Sequence, residues 1–161
     1  MIEVLDIMEA MAAWELEEWG GLTPPLQSFV TFPEEADIKA GLRYPYTCHQ
    51  RYTTTQQRTE INNMGSIEVW ETHVIWVYVM FASEDAPLHV LARRDAEWTS
   101  RYTAGLLLHL QHGITPVGVN GITETLMGTI EPAGLDLFNR KDVGLQIPLT
   151  ITVRQPRNTG L

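Results

Sequence analysis

The sequence predicts an α+β fold in which two main helices lie on one face of a mostly antiparallel β-sheet and a long β-hairpin projects from it. Three observations predict this fold. Residues 46–61 and 66–82 are long extended segments joined by turn-forming residues. Apolar residues at helical spacing flank that pair, and residues 143–153 alternate between apolar and polar side chains. A chain of 161 residues fits one domain, spanning residues 1–161.

A first helix is predicted over residues 2–19, because apolar side chains recur there at helical spacing and acidic residues lie off that stripe. The stripe consists of Leu5, Met8, Ala12, Leu16 and Trp19. A glycine pair at 20–21 ends the helix. A short strand is expected within residues 27–32. A short helix then begins after Pro33 and ends at Gly41.

The hairpin arm, about residues 46–82, is the most unusual feature of the chain. Its first strand, YTCHQRYTTTQQRTEI, is rich in Thr and Tyr, and its second strand becomes apolar toward Phe81. Each strand has about 16 residues, whereas a usual strand has about 5–6. A polar strand has no core of its own to pack on, so we expect residues 53–68 to project and contact a neighbouring subunit. A mobile surface loop is the alternative interpretation.

The outer half of the hairpin supplies the candidate subunit-interface residues. They are Tyr52, Thr54, Gln56, Arg58, Asn62, Asn63 and Trp70. Trp70 and Trp76 share a strand face with Tyr78. Aromatic stripes of this kind are typical of cores first and of subunit interfaces second.

The second half of the chain predicts another helix and the closing strands. The helix covers residues 88–111, a broken strand region follows, and residues 131–142 form a turn and a connector. The last strand is expected to bury one face, made of Val143, Leu145, Ile147, Leu149, Ile151 and Val153. Pro148 cannot donate a ladder hydrogen bond, so this strand is expected at a sheet edge or with a bulge.

No catalytic, cofactor-binding or metal-binding pattern stands out. His109 and His112 are three residues apart, but no acid or cysteine joins them and the His-Glu-x-x-His pattern is absent. Cys48 and His49 are neighbours in a strand, where side chains point to opposite faces. Glu15 lies near a helix end and in no evident cleft. We therefore expect a protein that is not an enzyme and that uses no cofactor and no metal.

Charge is distributed unevenly along the chain. The net charge is −9, and residues 1–40 hold nine acidic residues and one basic residue. An acidic balance argues against gripping a phosphate backbone, but it suits a surface that DNA passes without sticking. No apolar run reaches the length of a membrane span, so no membrane association is expected.

The layout of the chain resembles that of the tail terminator, or tail-completion, proteins of long-tailed bacteriophages. An acidic first helix, a hairpin of long strands, a second helix and two closing strands follow one another in that order. The most suggestive stretch is residues 135–155, LDLFNRKDVGLQIPLTITVRQ, in which an Asp-Leu connector leads into an alternating strand and a basic tail.

This resemblance implies a structural virion protein of the tail or neck, made in the host cytoplasm, that forms a ring, typically a hexamer. Such a ring caps the tail tube protein and meets the head-completion or neck protein, while DNA passes through its lumen without specific binding. Two other classes remain open. One is another ring-forming neck or tail-tube protein. The other is a small-molecule-binding or enzymatic α+β domain, which a deep apolar pocket in a monomer would favour.

Overall fold

The computed structural model describes residues 3–61, 67–111 and 122–157, with side chains over residues 3–55, 69–105 and 124–154. The predicted α+β fold and its mostly antiparallel sheet are confirmed. In chain order the elements are α1 (Val4–Trp19), β1 (Gln27–Ser28), α2 (Glu35–Lys39), β2 (Tyr46–Ile61), β3 (Ile67–Ser83), α3 (Leu88–Gln111), β4 (Ile122–Met127), β5 (Glu131–Leu137) and β6 (Arg140–Arg157). No helix within these ranges is both long enough and apolar enough to cross a membrane.

The sheet has the strand order β1-β2-β3-β6-β4, with β5 also paired to β6. The predicted hairpin is confirmed, since β2 pairs antiparallel with β3 from Tyr46 opposite Met80 to Ile61 opposite Ile67. β3 also pairs with β6 along its length, from Ile67 opposite Arg157 onward. The hairpin is therefore backed by a third strand and is not an isolated two-stranded ribbon, which would be marginal in water.

The position of Pro148 corrects the expectation that β6 lies at an edge. β6 has β3 on one side and both β4 and β5 on the other. The β4 pairing ends with Met127 opposite Leu149, and the β5 pairing begins with Glu131 opposite Gln146. The Pro148 carbonyl accepts a hydrogen bond from the Gly128 N–H at 2.8 Å. The missing proline N–H thus falls at the break between β4 and β5, where no ladder partner is needed.

Helices α1 and α3 pack together on one face of the sheet and form the main core. Trp14 lies edge-on to Tyr102 with ring centroids 5.6 Å apart, and Trp19 meets Trp98 at 5.7 Å. The strand beneath them confirms the predicted alternation of β6, because Leu145, Ile147, Leu149, Ile151 and Val153 are buried and Val143 is half-buried.

The predicted apolar stripe of α1 is partly wrong. Leu5 and Leu16 are exposed, and the buried side of the helix carries Ile7, Met8, Met11, Ala12, Trp14, Glu15 and Trp19. The helix has apolar residues on more than one side, so spacing alone does not decide which side is buried. Contact with α3 and the sheet decides it, because that side presents the tryptophans to the core.

A smaller cluster covers one end of the opposite face of the sheet. It contains Leu42, Tyr46, Cys48, Met80 and Leu137, with residues from the β1–α2 region packed against it. β5 contributes to this cluster, although residues 131–142 were expected to form a turn and a connector. Among the described strands, β5 pairs only with β6. A strand at the edge of a sheet tolerates a proline, here Pro132.

Candidate assembly surface

The middle of the sheet face opposite α1 and α3 lies outside both hydrophobic clusters of the described residues. We call this region the open face. Register fixes its membership, because Val74 is opposite Thr150 and Trp76 is opposite Pro148 on strands β3 and β6. Its side chains are Tyr52, Trp70, Thr72, Val74, Trp76, Leu126, Pro148 and Thr150.

Tyr52 is the most exposed aromatic residue of the open face, at 68%. It occupies the irregular position between Arg51 and Thr53, where β2 carries one residue more than β3. Its ring meets that of Trp76 at a centroid distance of 5.5 Å. Trp70 lies on the same face, with the Arg154 guanidinium 5.7 Å above its ring. Two of the predicted interface residues are thus brought together on one surface.

The other predicted interface residues are separated from this surface or lie outside what is described. Thr54 lies opposite His73 and its hydroxyl is 3.0 Å from His73 Nδ1, on the helix-covered side of the sheet. The irregularity at Tyr52 causes this, because one extra residue moves the following side chains to the other face. Gln56 and Arg58 have register positions opposite Glu71 and Trp70, but their side chains lie outside the described residues, as do Asn62 and Asn63 altogether.

β2 is also an edge strand over most of its length. β1 pairs with it only at Tyr46 and Thr47, and no other described strand lies on that side. An exposed strand edge offers unpaired N–H and C=O groups to another chain. The two irregularities, at residues 51–53 and 56–58, interrupt the regular edge and restrict how a neighbour can pair with it.

The sequence interpretation missed a buried polar cluster around Glu15, whose side chain is fully buried. Glu15 Oε1 is 3.0 Å from His49 Nε2 and accepts a hydrogen bond from the Tyr102 hydroxyl at 3.1 Å. Its Oε2 accepts from Thr47 at 2.6 Å and from Ser28 at 2.9 Å. Glu15 lies one helical turn from both Met11 and Trp19, but spacing alone does not show that this side of α1 is the buried one.

The arrangement around His49 makes this cluster a buried ion pair. His49 Nδ1 faces the Phe29 carbonyl at 2.5 Å while Nε2 faces the Glu15 carboxylate. Both ring nitrogens therefore have acceptors, and only the imidazolium form supplies two donors. Burial alone would lower the pKa of His49, but Glu15 and the Phe29 carbonyl raise it. Burial alone would raise the pKa of Glu15, but His49, Thr47 and Ser28 lower it.

We expect this pair to give the folded protein a pH-dependent stability. The Glu15 contribution is present above the ordinary carboxyl pKa of 4.5 and is lost as pH falls through the lowered pKa. The His49 contribution is present below the ordinary imidazole pKa of 6.5 and is lost as pH rises through the raised pKa. The stabilisation by the pair is thus complete between pH 4.5 and 6.5.

Urea unfolding of the wild type and of His49→Gln, between pH 5 and about pH 9, tests this expectation. The difference in unfolding free energy between the two proteins is expected to shrink as pH rises above 6.5, where the His49 contribution begins to be lost. A difference that is constant over that range would contradict the ion pair.

A second buried carboxylate, Asp142, anchors the start of β6. It accepts hydrogen bonds from the Tyr44 and Tyr46 hydroxyls and from Arg140 Nε, the last at 3.2 Å. Arg140 also donates to the Leu42 carbonyl at 2.8 Å and stacks 4.8 Å from the Tyr44 ring centroid. Glu15 and Asp142 each accept hydrogen bonds from several donors inside the fold. Their role here is structural, because these bonds connect segments that are far apart in the sequence.

Among the described side chains, no three His, Cys, Asp or Glu residues are grouped to hold a metal ion, and His109 and His112 lie outside them. Cys48 is buried in the smaller cluster, as expected for a small apolar strand residue. Burial raises the pKa of its thiol, so the thiol stays protonated.

No protein-family model matches this sequence, and no curated protein matches it either.

Proposed function

We propose that this protein is a structural virion protein of a long-tailed bacteriophage, a tail terminator that forms a ring on the tail tube. The observation that carries the proposal is the open face together with the adjoining edge of β2. This surface combines a long strand edge with exposed and half-buried aromatic side chains. The order of the elements, on which the resemblance to tail terminators rests, supports the same function.

A neighbouring subunit on the open face would complete interactions that one chain leaves incomplete. Tyr52 and Leu126 expose large apolar areas, and burying them contributes roughly 25 cal/mol per Å². The Trp76 Nε1 and Thr72 Oγ1 atoms are buried without a hydrogen-bond partner in the described part of the chain. Buried polar atoms usually have partners, and a subunit docked here supplies acceptors. A contact whose two sides differ, such as the open face of one subunit against another surface of the next, builds a ring when the rotation between subunits closes.

The charge of the chain suits the expected partners. A net charge of −9 gives a ring a negative field that repels the phosphate backbone of DNA in its lumen. The ring, a hexamer by the resemblance, would contact the tail tube protein on one side and the head-completion or neck protein on the other. DNA then passes without being held.

Replacing Tyr52 by aspartate is expected to abolish ring assembly and to leave the fold intact. Tyr52 is exposed at an irregular strand position, so its loss removes little core packing, whereas a carboxylate in a buried interface is strongly unfavourable. Native mass spectrometry and negative-stain imaging of the purified protein measure the assembly. Circular dichroism measures the fold.

Phe138→Asp is the matched control. Phe138 is exposed to a similar extent, 63%, but lies in the turn between β5 and β6, away from the open face. Its positive φ of 54° is one that Asp adopts more readily than Phe. The Phe138→Asp variant is expected to assemble into rings as the wild type does. Rings that persist in Tyr52→Asp, or a wild type that stays monomeric at high concentration with tail tube protein present, would reject the proposal.

A further inference from the structure

An apolar groove of about 540 Å³ runs between the first turns of α3 and the starts of β5 and β6. We call it the α3 groove. Its lining includes Phe81, Leu88, Leu91, Ala92, Pro132 and Val143. The α3 residues among them follow helical spacing, so one side of the helix forms one wall of the groove. It lies apart from the open face, which is on the other side of the sheet.

The groove exists because α1 covers only part of α3. The α1 tryptophans contact Trp98 and Tyr102, which lie in the middle of α3. The first turns of α3 extend beyond that contact, and Leu88 is 84% exposed. Phe81 and Val143 of the sheet form the floor beneath it. An apolar helix side and an apolar sheet surface therefore face each other without a covering element in the described part of the chain.

Acidic side chains lie at the margins of the groove. Asp95 is the one charged residue of its lining. A second depression shares Gly134 and Val143 with the groove, and its exposed charged residues are Glu84, Asp136 and Lys141. Around this apolar floor there are thus three exposed carboxylates, those of Glu84, Asp95 and Asp136, and one ammonium group, that of Lys141. Such a margin attracts Lys and Arg side chains and repels acidic ones.

We propose that the α3 groove binds a short amphipathic segment of another protein, in which apolar anchor residues are flanked by Lys or Arg. The volume suits a few apolar side chains, and docking of an amphipathic segment into such a groove is a recurrent mode of recognition. The exposed aliphatic residues of α1 in a second copy, Leu5 and Leu16, do not fit this description, because they stand among acidic side chains. This docking site does not depend on ring formation.

The test is a selection of random displayed peptides on the full-length protein, with Ala92→Arg as the counter-target. Ala92 is exposed, so the substitution puts a guanidinium group and added bulk into the groove without disturbing the core. Peptides enriched on the wild type are expected to carry apolar residues flanked by Lys or Arg. Their affinity is expected to fall about tenfold or more on Ala92→Arg and to weaken as salt is raised.

Ala104→Arg is the matched control, since Ala104 is exposed on the same helix and lies about 18 Å further along it. Selected peptides are expected to bind this variant as they bind the wild type. Peptides that bind Ala92→Arg equally well, or an enrichment without basic residues, would overturn the proposal. Preferential binding of peptides copied from this chain would instead make a second copy the occupant and would also overturn it.

Discussion

Replacing Glu15 by alanine is expected to lower the free energy of unfolding by about 3–5 kcal/mol. The substitution leaves the His49 imidazolium buried without its counter-charge. It also removes the acceptor of the Ser28, Thr47 and Tyr102 hydroxyls. An unpaired buried charge costs far more than the pair contributes, because the interior cannot solvate it. Denaturant unfolding followed by tryptophan fluorescence measures the loss.

Glu17→Ala is the matched control for this prediction. Glu17 is an acidic residue of the same helix, but its side chain is exposed. Its removal is expected to change stability by no more than about 0.5 kcal/mol. If Glu15→Ala and Glu17→Ala unfold at the same denaturant concentration, the ion pair does not hold α1 to the sheet.

Replacing Gly144 by alanine is expected to destabilise the protein by about 3 kcal/mol, although the change adds one methyl group. A Cβ atom at residue 144 would lie 1.8 Å from the Val79 carbonyl oxygen and 2.8 Å from Met80 Cα. Both atoms belong to the backbone of β3, so no side chain can move aside to make room. The β3–β6 pairing must separate locally, and this pairing runs through the centre of the sheet.

Gly134→Ala separates this steric effect from the general effect of losing a glycine. A Cβ atom at residue 134 would meet its nearest atom, the Asp142 carbonyl oxygen, at 3.5 Å, which is ordinary contact. Gly134 is exposed in β5, and its alanine variant is expected to stay near wild-type stability. Thermal unfolding of both variants by calorimetry compares them. Equal melting temperatures would show that β6 can move away from β3 at low cost.

The hairpin and the last strand show which features local sequence patterns predict and which they do not. The length of β2 and the alternation of β6 are local features, and each matches the structure. Local patterns do not report which strands become neighbours. The pairing of β3 with β6 joins residues far apart in sequence, and it changed both the surroundings of the hairpin and the interpretation of Pro148.

The sequence predicted only part of the candidate surface, because strand pairing also decides which side chains share a face. Tyr52 and Trp70, two of the predicted interface residues, lie on the open face, but Thr54 faces the other way. A strict period of two places Tyr52 and Thr54 on one face. The extra residue at position 52 breaks that period, and it arises from the pairing with β3 rather than from any recognisable local signal.

The sequence by itself determined the fold class, the main helices, the long hairpin and the buried side of β6, because these follow from local spacing of apolar residues. Only the tertiary structure decided which side of α1 is buried, and with it the burial of Glu15 beside His49. The two partners of that ion pair are 34 positions apart in the sequence. A charged residue is normally expected at the surface, and it becomes a core residue only when folding brings it a counter-charge and enough donors. That condition depends on distant segments meeting.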